Sequence, residues 1–432
     1  MNASRIDLVT LSAAVLATSM TFIDATAINQ ALPAIGEALD ASTFQAILIV
    51  GAFALTLAVL LLPAGAVADR LGRRLVLRLG LIAFALASAA CALSSDATWL
   101  TVARVVQGAG GAMIVPASLA VLTAAHSPHC RGRVIGVWSA WCAMATVAGP
   151  LLGGMLAEAG LWRMIFLLNV PLAVVALLCL HLMAPEQQAP APAPAQAKRR
   201  PFVMIPSALW QQSTMRAAAG ATVTLYTAMY GLLLVVPLAL ISGAGYRADH
   251  AALAQLPLVM LLIVVCPLAG RWADRSGPRA PVCVGCGLAV AGLAWLIVGG
   301  IGTGLVDYVT RLLVPFALLG AGMGMCVVPL STTLMNQAGE AALAAGGALN
   351  ALLTRLAAAI AVAAFGGLLL GSGVAFSGAV NHDPLAWSAA LRWTVILAGM
   401  LCVVTGMIAA HYLHGRVMTE ASSTSRMVEG WS

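Results

Sequence analysis

The stretch GAVADRLGRR at residues 65–74 returns, altered but legible, as GRWADRSGPR at 270–279, which places Asp69 and Asp274 205 residues apart. Each copy follows the second long apolar run of its half of the chain. A second pair, GAGGAMIVP at 108–116 and GAGMGMCVVP at 320–329, sits in the fourth and tenth apolar runs. Two motifs recurring at matching places imply that the chain is a duplication of one helical unit.

The chain of 432 residues is 61% apolar and 9% charged, whereas soluble domains carry about 25% charged and about 45–50% apolar residues. With a mean hydropathy of +0.98, a water-soluble enzyme and a disordered chain are both excluded. The expected fold class is an all-α membrane protein. Twelve transmembrane helices are predicted at 8–32, 43–66, 75–94, 99–123, 133–157, 163–184, 216–241, 250–270, 280–301, 307–330, 345–370 and 391–413, each long enough for a bilayer. They divide into a six-helix bundle over 1–184 and a second over 216–415, pseudo-symmetric by the repeat. A linker at 185–215, whose PEQQAPAPAPAQAKRR cannot form a helix, joins them, and a tail at 416–432 follows.

With the N-terminus cytoplasmic, sixteen basic residues fall on the inner side and four (Arg163, Arg247, Arg311, Arg392) outside, while Arg104 and Arg355 lie within spans. That asymmetry predicts both termini in the cytoplasm of a multi-pass inner-membrane protein and accounts for the net charge of +7 without nucleic acid. The first span is too long and too polar for a signal-peptide core and reads as a retained helix. Nine scattered cysteines give no disulfide framework. Cys283 and Cys286 read as packing, His126, His129 and Cys130 lack a fourth ligand, and no Gly-rich phosphate loop is present. No metal, cofactor or bound ATP is therefore expected.

Three residue sets stand out. Asp24 is the one carboxylate well inside a span, where a charge costs about 2.5–3.5 kcal/mol to insert. It is either solvated near the outer end of its helix or a group that alternates between proton and substrate. Arg104 is followed by Gln107, Gly108 and Gly111 on the same helix face, and Arg355, flanked by Asn350 and Thr354, poses the same choice between a structural and a functional role. Met20, Thr21 and Asp24, Thr222, Tyr226, Met229 and Tyr230 on one face of the seventh span, and Gln107, Asn350 and Arg355 could line a cavity for adaptable amphipathic ligands or pack between helices.

GAVADRLGRRLVL at 65–77, LTVARVVQG at 100–108, GPLLGG at 149–154, FIDATAINQALP at 22–33 and WRMIFLLNVP at 162–171 together resemble the major facilitator superfamily. Within it, they are similar to the drug:proton antiporters of the fourteen-helix group. Those relatives usually carry an extra helix pair after helix six, where this chain has only its linker, and Ala145 stands where their antiporter signature begins with Gly. The resemblance implies proton-coupled export of small lipophilic or amphipathic molecules by a non-enzymatic carrier, monomeric in the bilayer, with a bearing on antibiotic resistance. It implies proton coupling through Asp24 and Arg104. It also implies a conformational latch of Gly65, Asp69, Arg70, Gly72 and Arg73 with Asp274. Finally, it implies a bend and leak seal at Gly149, Pro150, Gly153 and Gly154, for which close packing alone is the plainer reading. A metabolite or organic-anion carrier, or a membrane sensor that does not transport, remains the alternative.

Overall fold

The computed structural model describes residues 3–126, 128–183, 210, 212–299, 307–337, 343–374 and 384–413. Most of the linker and all of the 416–432 tail lie outside these residues, as does the side chain of Asp69. Among the described residues there are twelve long helical segments and no strands. The first half contains α1 (Ala3–Ala38), α2 (Thr43–Leu71), α3 (Arg73–Ala92), α4 (Ala97–Ala124), α5 (Pro128–Glu158) and α6 (Arg163–Leu182, broken at Leu168). The second contains α7 (Ser213–Leu238), α8 (Ala248–Ser276, broken at Gln255), α9 (Arg279–Gly299), α10 (Val314–Gln337), α11 (Leu343–Gly371) and α12 (Pro384–Tyr412). Among the described residues, eleven of these are long and apolar enough to cross a bilayer; the remaining one, α5, is 31 residues long.

The helices outrun the apolar spans because capping and tertiary contacts, rather than hydropathy, end them. Ser42 and Gln45 form a reciprocal capping box at the start of α2, and Asp96 accepts from the Trp99 N–H at 2.8 Å to start α4. Beyond its apolar stretch, α2 runs on through the repeated motif to Leu71. There Gly72, at φ 97°, makes the turn into α3, and Gly277, at φ 84°, makes the same turn between α8 and α9. Seven helices carry an internal proline (α1, α2, α4, α5, α7, α8 and α10). Two π-helical turns, Ala239–Gly243 after α7 and Tyr308–Leu313 before α10, occur in the second half.

The duplication is visible in the packing. Helix α4 lies between α2 and α3, and α10 lies between α8 and α9. A methyl group at Gly108 would come within 2.8 Å of the Phe53 carbonyl on α2, and one at Gly110 within 2.8 Å of Phe84 N on α3. In the second half Gly320 abuts the Leu258 backbone of α8, and Gly322 lies 2.5 Å by the same measure from the Gly285 carbonyl of α9. The glycine motifs of the two halves thus do the same job, letting a central helix approach two neighbours at backbone distance.

The apolar core is organised in three clusters. One joins both halves at the end of the molecule that carries the α1–α2 and α7–α8 connections, here the distal face. It includes Ile28, Leu32, Ile49 and Phe166 of the first half and Leu232, Phe316, Phe365 and Trp387 of the second. At the opposite, terminal face each half has its own buried core, Met20, Leu57, Leu77 and Phe84 in the first and Met215, Leu225, Leu330 and Leu353 in the second, with Ala351 and Leu352 of α11 packed against the first. The halves are also clasped distally by polar contacts. Thr43 Oγ1 donates to the Val374 carbonyl at 2.6 Å, and Glu158 at the end of α5 accepts from Ala248 N at 3.1 Å and pairs with Arg247 Nε at 3.1 Å. The molecule is therefore shut at its distal face.

Candidate functional site

Asp24 falls one residue from the middle of the apolar length Leu8–Ala38 and is fully buried. The solvated position near a helix end, left open by sequence, is thereby removed, because α1 continues to Ala38. Both carboxylate oxygens are engaged. Oδ2 is ion-paired with Arg104 Nη1, while Oδ1 accepts from Gln107 Nε2 at 2.9 Å and from Asn169 Nδ2 at 3.0 Å. Gln107 and Asn169 also reach Ser88 Oγ, at 2.8 and 3.3 Å. Gln107 Oε1 accepts from Arg104 Nη1 at 2.7 Å, and Arg104 Nε donates to the Ile49 carbonyl at 3.3 Å. The guanidinium carbon stands 4.2 Å from the centre of the Phe53 ring.

Helices α1, α3, α4 and α6 each supply a member of this network, and every side chain in it is buried. Spacing alone put Arg104 and Gln107 on one face. Ser88 and Asn169 were not selected from sequence, since a lone Ser or Asn in an apolar run has no periodicity to mark it. The one signal was the placing of Asn169 inside WRMIFLLNVP. Such a network is stable only when every partner is present, since removing one strands a buried charge.

Between the halves lies a cavity of about 60 Å³, bounded by Asn29, Phe53, Arg104, Tyr230, Arg355 and Val362 among others. At about 10–15 Å³ per water it has room for roughly four. Arg355 crosses from α11 to lie 4.9 Å from the Phe22 ring centre on α1. Tyr230 faces the cavity, and Tyr226 stacks beside it at 6.1 Å. The other residues offered for the cavity lie elsewhere. Met20 belongs to the packed core of the first half, Thr21 and Thr222 are buried and turn their hydroxyls back onto the Thr18 and Ala218 carbonyls, and Met229 lines a small apolar void within the second half. Asn350 accepts from Ser331 at 3.4 Å. A helical face read from sequence cannot say which neighbour covers it.

At the terminal face, Arg73 donates to the Ala120 carbonyl at 3.5 Å, while Arg70 and Asp274 are exposed and Asp274 has no ion pair among the described residues. Among the described residues a methyl group at Gly65 would meet nothing within 4 Å, and Gly72 serves the turn. On α5, methyl groups at Gly149 and Gly153 would strike Thr26 and the Ala27 backbone of α1. Gly154 faces Ala248 and Ala252 of α8, so this run touches the other half.

Two six-helix bundles around a central cavity, with a neutralised ion pair beside it, have the build of a membrane carrier. Residues 14–362 match the Major Facilitator Superfamily, and the chain belongs to that family: it is a multi-pass membrane transporter, not an enzyme. It is 29% identical over 383 residues to the multidrug resistance protein Stp of Mycobacterium tuberculosis, covering 77% of this chain and 70% of that protein. To the methylenomycin A resistance protein of Bacillus subtilis it is 26% identical, covering 93% and 94%. Among solved structures, a bacterial homologue of the human lysosomal transporter Spinster, in an inward-facing and unoccupied conformation, overlays with a TM-score of 0.74 at 19% identity, covering 94% of this chain and 98% of that one.

Proposed function

We propose that this protein is a proton-coupled antiporter of the inner membrane that exports small amphipathic compounds, with both termini in the cytoplasm. The observation that carries the reading is the Asp24–Arg104 pair, sealed among Gln107, Asn169 and Ser88 at mid-helix and bordering the inter-half cavity. Uptake of a proton neutralises the carboxylate and frees Arg104, so the network has two arrangements that a proton and a substrate select in turn. Each charge moved gains about 2.3 kcal/mol per 100 mV of membrane potential. The resistance functions named for the relatives support export of compounds foreign to the cell.

With cytoplasmic termini, the sealed distal face is the outer one and the arrangement described is inward-facing. The Glu158 clasp to Arg247 and α8 holds that state. The repeated motif around Asp69 and Asp274 would take over when the terminal face closes, and the Gly149–Gly154 run guides the sliding of α5 on α1 and α8.

The test uses inverted vesicles under an imposed proton gradient, recording proton release when amphipathic dyes of either charge are added. Release is expected from the unaltered protein and a fall to the protein-free background for Asp24→Asn. Undiminished release from the variant, or silence from the unaltered protein across the whole panel, would sink the reading.

A further inference from the structure

The two intramembrane arginines differ in one respect. Arg104 has a carboxylate, whereas Arg355 has no ion pair or hydrogen bond among the described residues and only the face of Phe22 beneath it. Because both oxygens of Asp24 are engaged, that side chain is not free to answer Arg355. The charge left facing the inter-half cavity is thus one positive guanidinium. Asn29 borders the same cavity, and its Oδ1 is buried without a partner among the described residues. A retained intramembrane cation lacking a counter-charge marks a place where a ligand supplies one. Guanidinium geometry suits a carboxylate, which it can hold through two parallel hydrogen bonds.

We infer that Arg355 is the substrate-charge selector of this carrier, and that the exported compounds are amphipathic monocarboxylates. The carboxylate takes the small space beside Arg355, and the apolar body extends from it along Phe53, Tyr230 and Val362 as the halves part to admit it. A lipophilic cation meets like charge at the same place, which disfavours it. Entry is from the terminal face, where each half keeps its own buried core and Ala351 and Leu352 of α11 reach across to the first. This inference rests on the transport reading above for the position of the site, but not on its proton coupling.

The experiment measures equilibrium binding without any gradient, so that its failure is separable from failure of antiport. Full-length protein in lipid nanodiscs is titrated with dansylglycine, its neutral amide and cationic dansylethylenediamine, followed by fluorescence anisotropy. The carboxylate is expected to bind about tenfold or more tighter than the amide, and the cation weakest. In Arg355→Gln the preference should shrink to within about twofold, whereas Arg355→Lys should keep part of it. Thermal unfolding of each variant verifies folding, and Arg355→Lys carries the test if Arg355→Gln does not fold. Equal or tighter binding of the amide or cation by the unaltered protein overturns the inference. So does a carboxylate preference that survives in Arg355→Gln, or the absence of binding by all three probes.

Discussion

Helices α4 and α10 occupy equivalent places, and aligning Gly108 with Gly320 sets Arg104 opposite Phe316 and Gln107 opposite Leu319. In the first half this position holds an ion pair and three neutral polar partners. In the second, Phe316 and Leu319 are 1% exposed and border an apolar void of about 10 Å³, and α7 carries no carboxylate. The duplication has therefore preserved the close packing at Gly108 and Gly110 in Gly320 and Gly322, while the buried ion pair resides in one copy. The first half holds the buried Asp24–Arg104 pair, and the second supplies Arg355 to the cavity between them.

The sharpest way to probe that asymmetry is to transplant or remove charge. Arg104→Gln strands the Asp24 carboxylate among neutral groups and should cost about 3–5 kcal/mol, read as a lower unfolding temperature in detergent. Adding Asp24→Asn should restore more than half of that loss, since the pair then vanishes together. Phe316→Arg, the mirror change, has no carboxylate to meet and should cost about 2.5–3.5 kcal/mol with no rescue. Additive losses for the two first-half changes would show that the pair is not the unit described.

A smaller effect tests the shared plan. Gly153→Ala and Gly320→Ala each drive a methyl group into a helix backbone, at Ala27 and Leu258, and should destabilise by about 1–3 kcal/mol apiece. Gly65→Ala, with open space around it, should be neutral or stabilising by up to about 1 kcal/mol. A tolerant Gly320 would mean that the repeat survives in sequence without its packing role.

The smallest concerns the clasp. Arg247 and Glu158 are 58% and 31% exposed, so their pair is worth at most about 1 kcal/mol. Glu158→Gln should shift the population toward an open distal face by no more than about fivefold. Spin labels at Leu161 and Leu253 would report it as a longer-distance fraction, and an unchanged distribution would remove Glu158 from the gating scheme.

The helices and their twofold grouping were legible because apolar runs of bilayer length and a repeated motif are both one-dimensional signals. Asp24 and Arg104 were legible because a charge in such a run is costly and stands out. Ser88 and Asn169 were not, since their significance lies in convergence from α3 and α6 onto one carboxylate. The same limit explains Met20, Thr21 and Thr222: periodicity gathers residues on a face, but only the neighbouring helix decides whether that face meets a cavity or a core. Gly65 shows it for backbone, where a motif glycine turned out to have no close neighbour.

A core shared by both halves lies at the distal face, so an arrangement open on that side would take it apart and let water onto Leu32, Leu232 and Phe365. Wetting apolar surface raises heat capacity, and the free energy between the two access states then bends with temperature rather than falling on a straight line. Cooling weakens the association of such surfaces. The balance between the two sides of the membrane is therefore expected to follow a curve in temperature rather than a line.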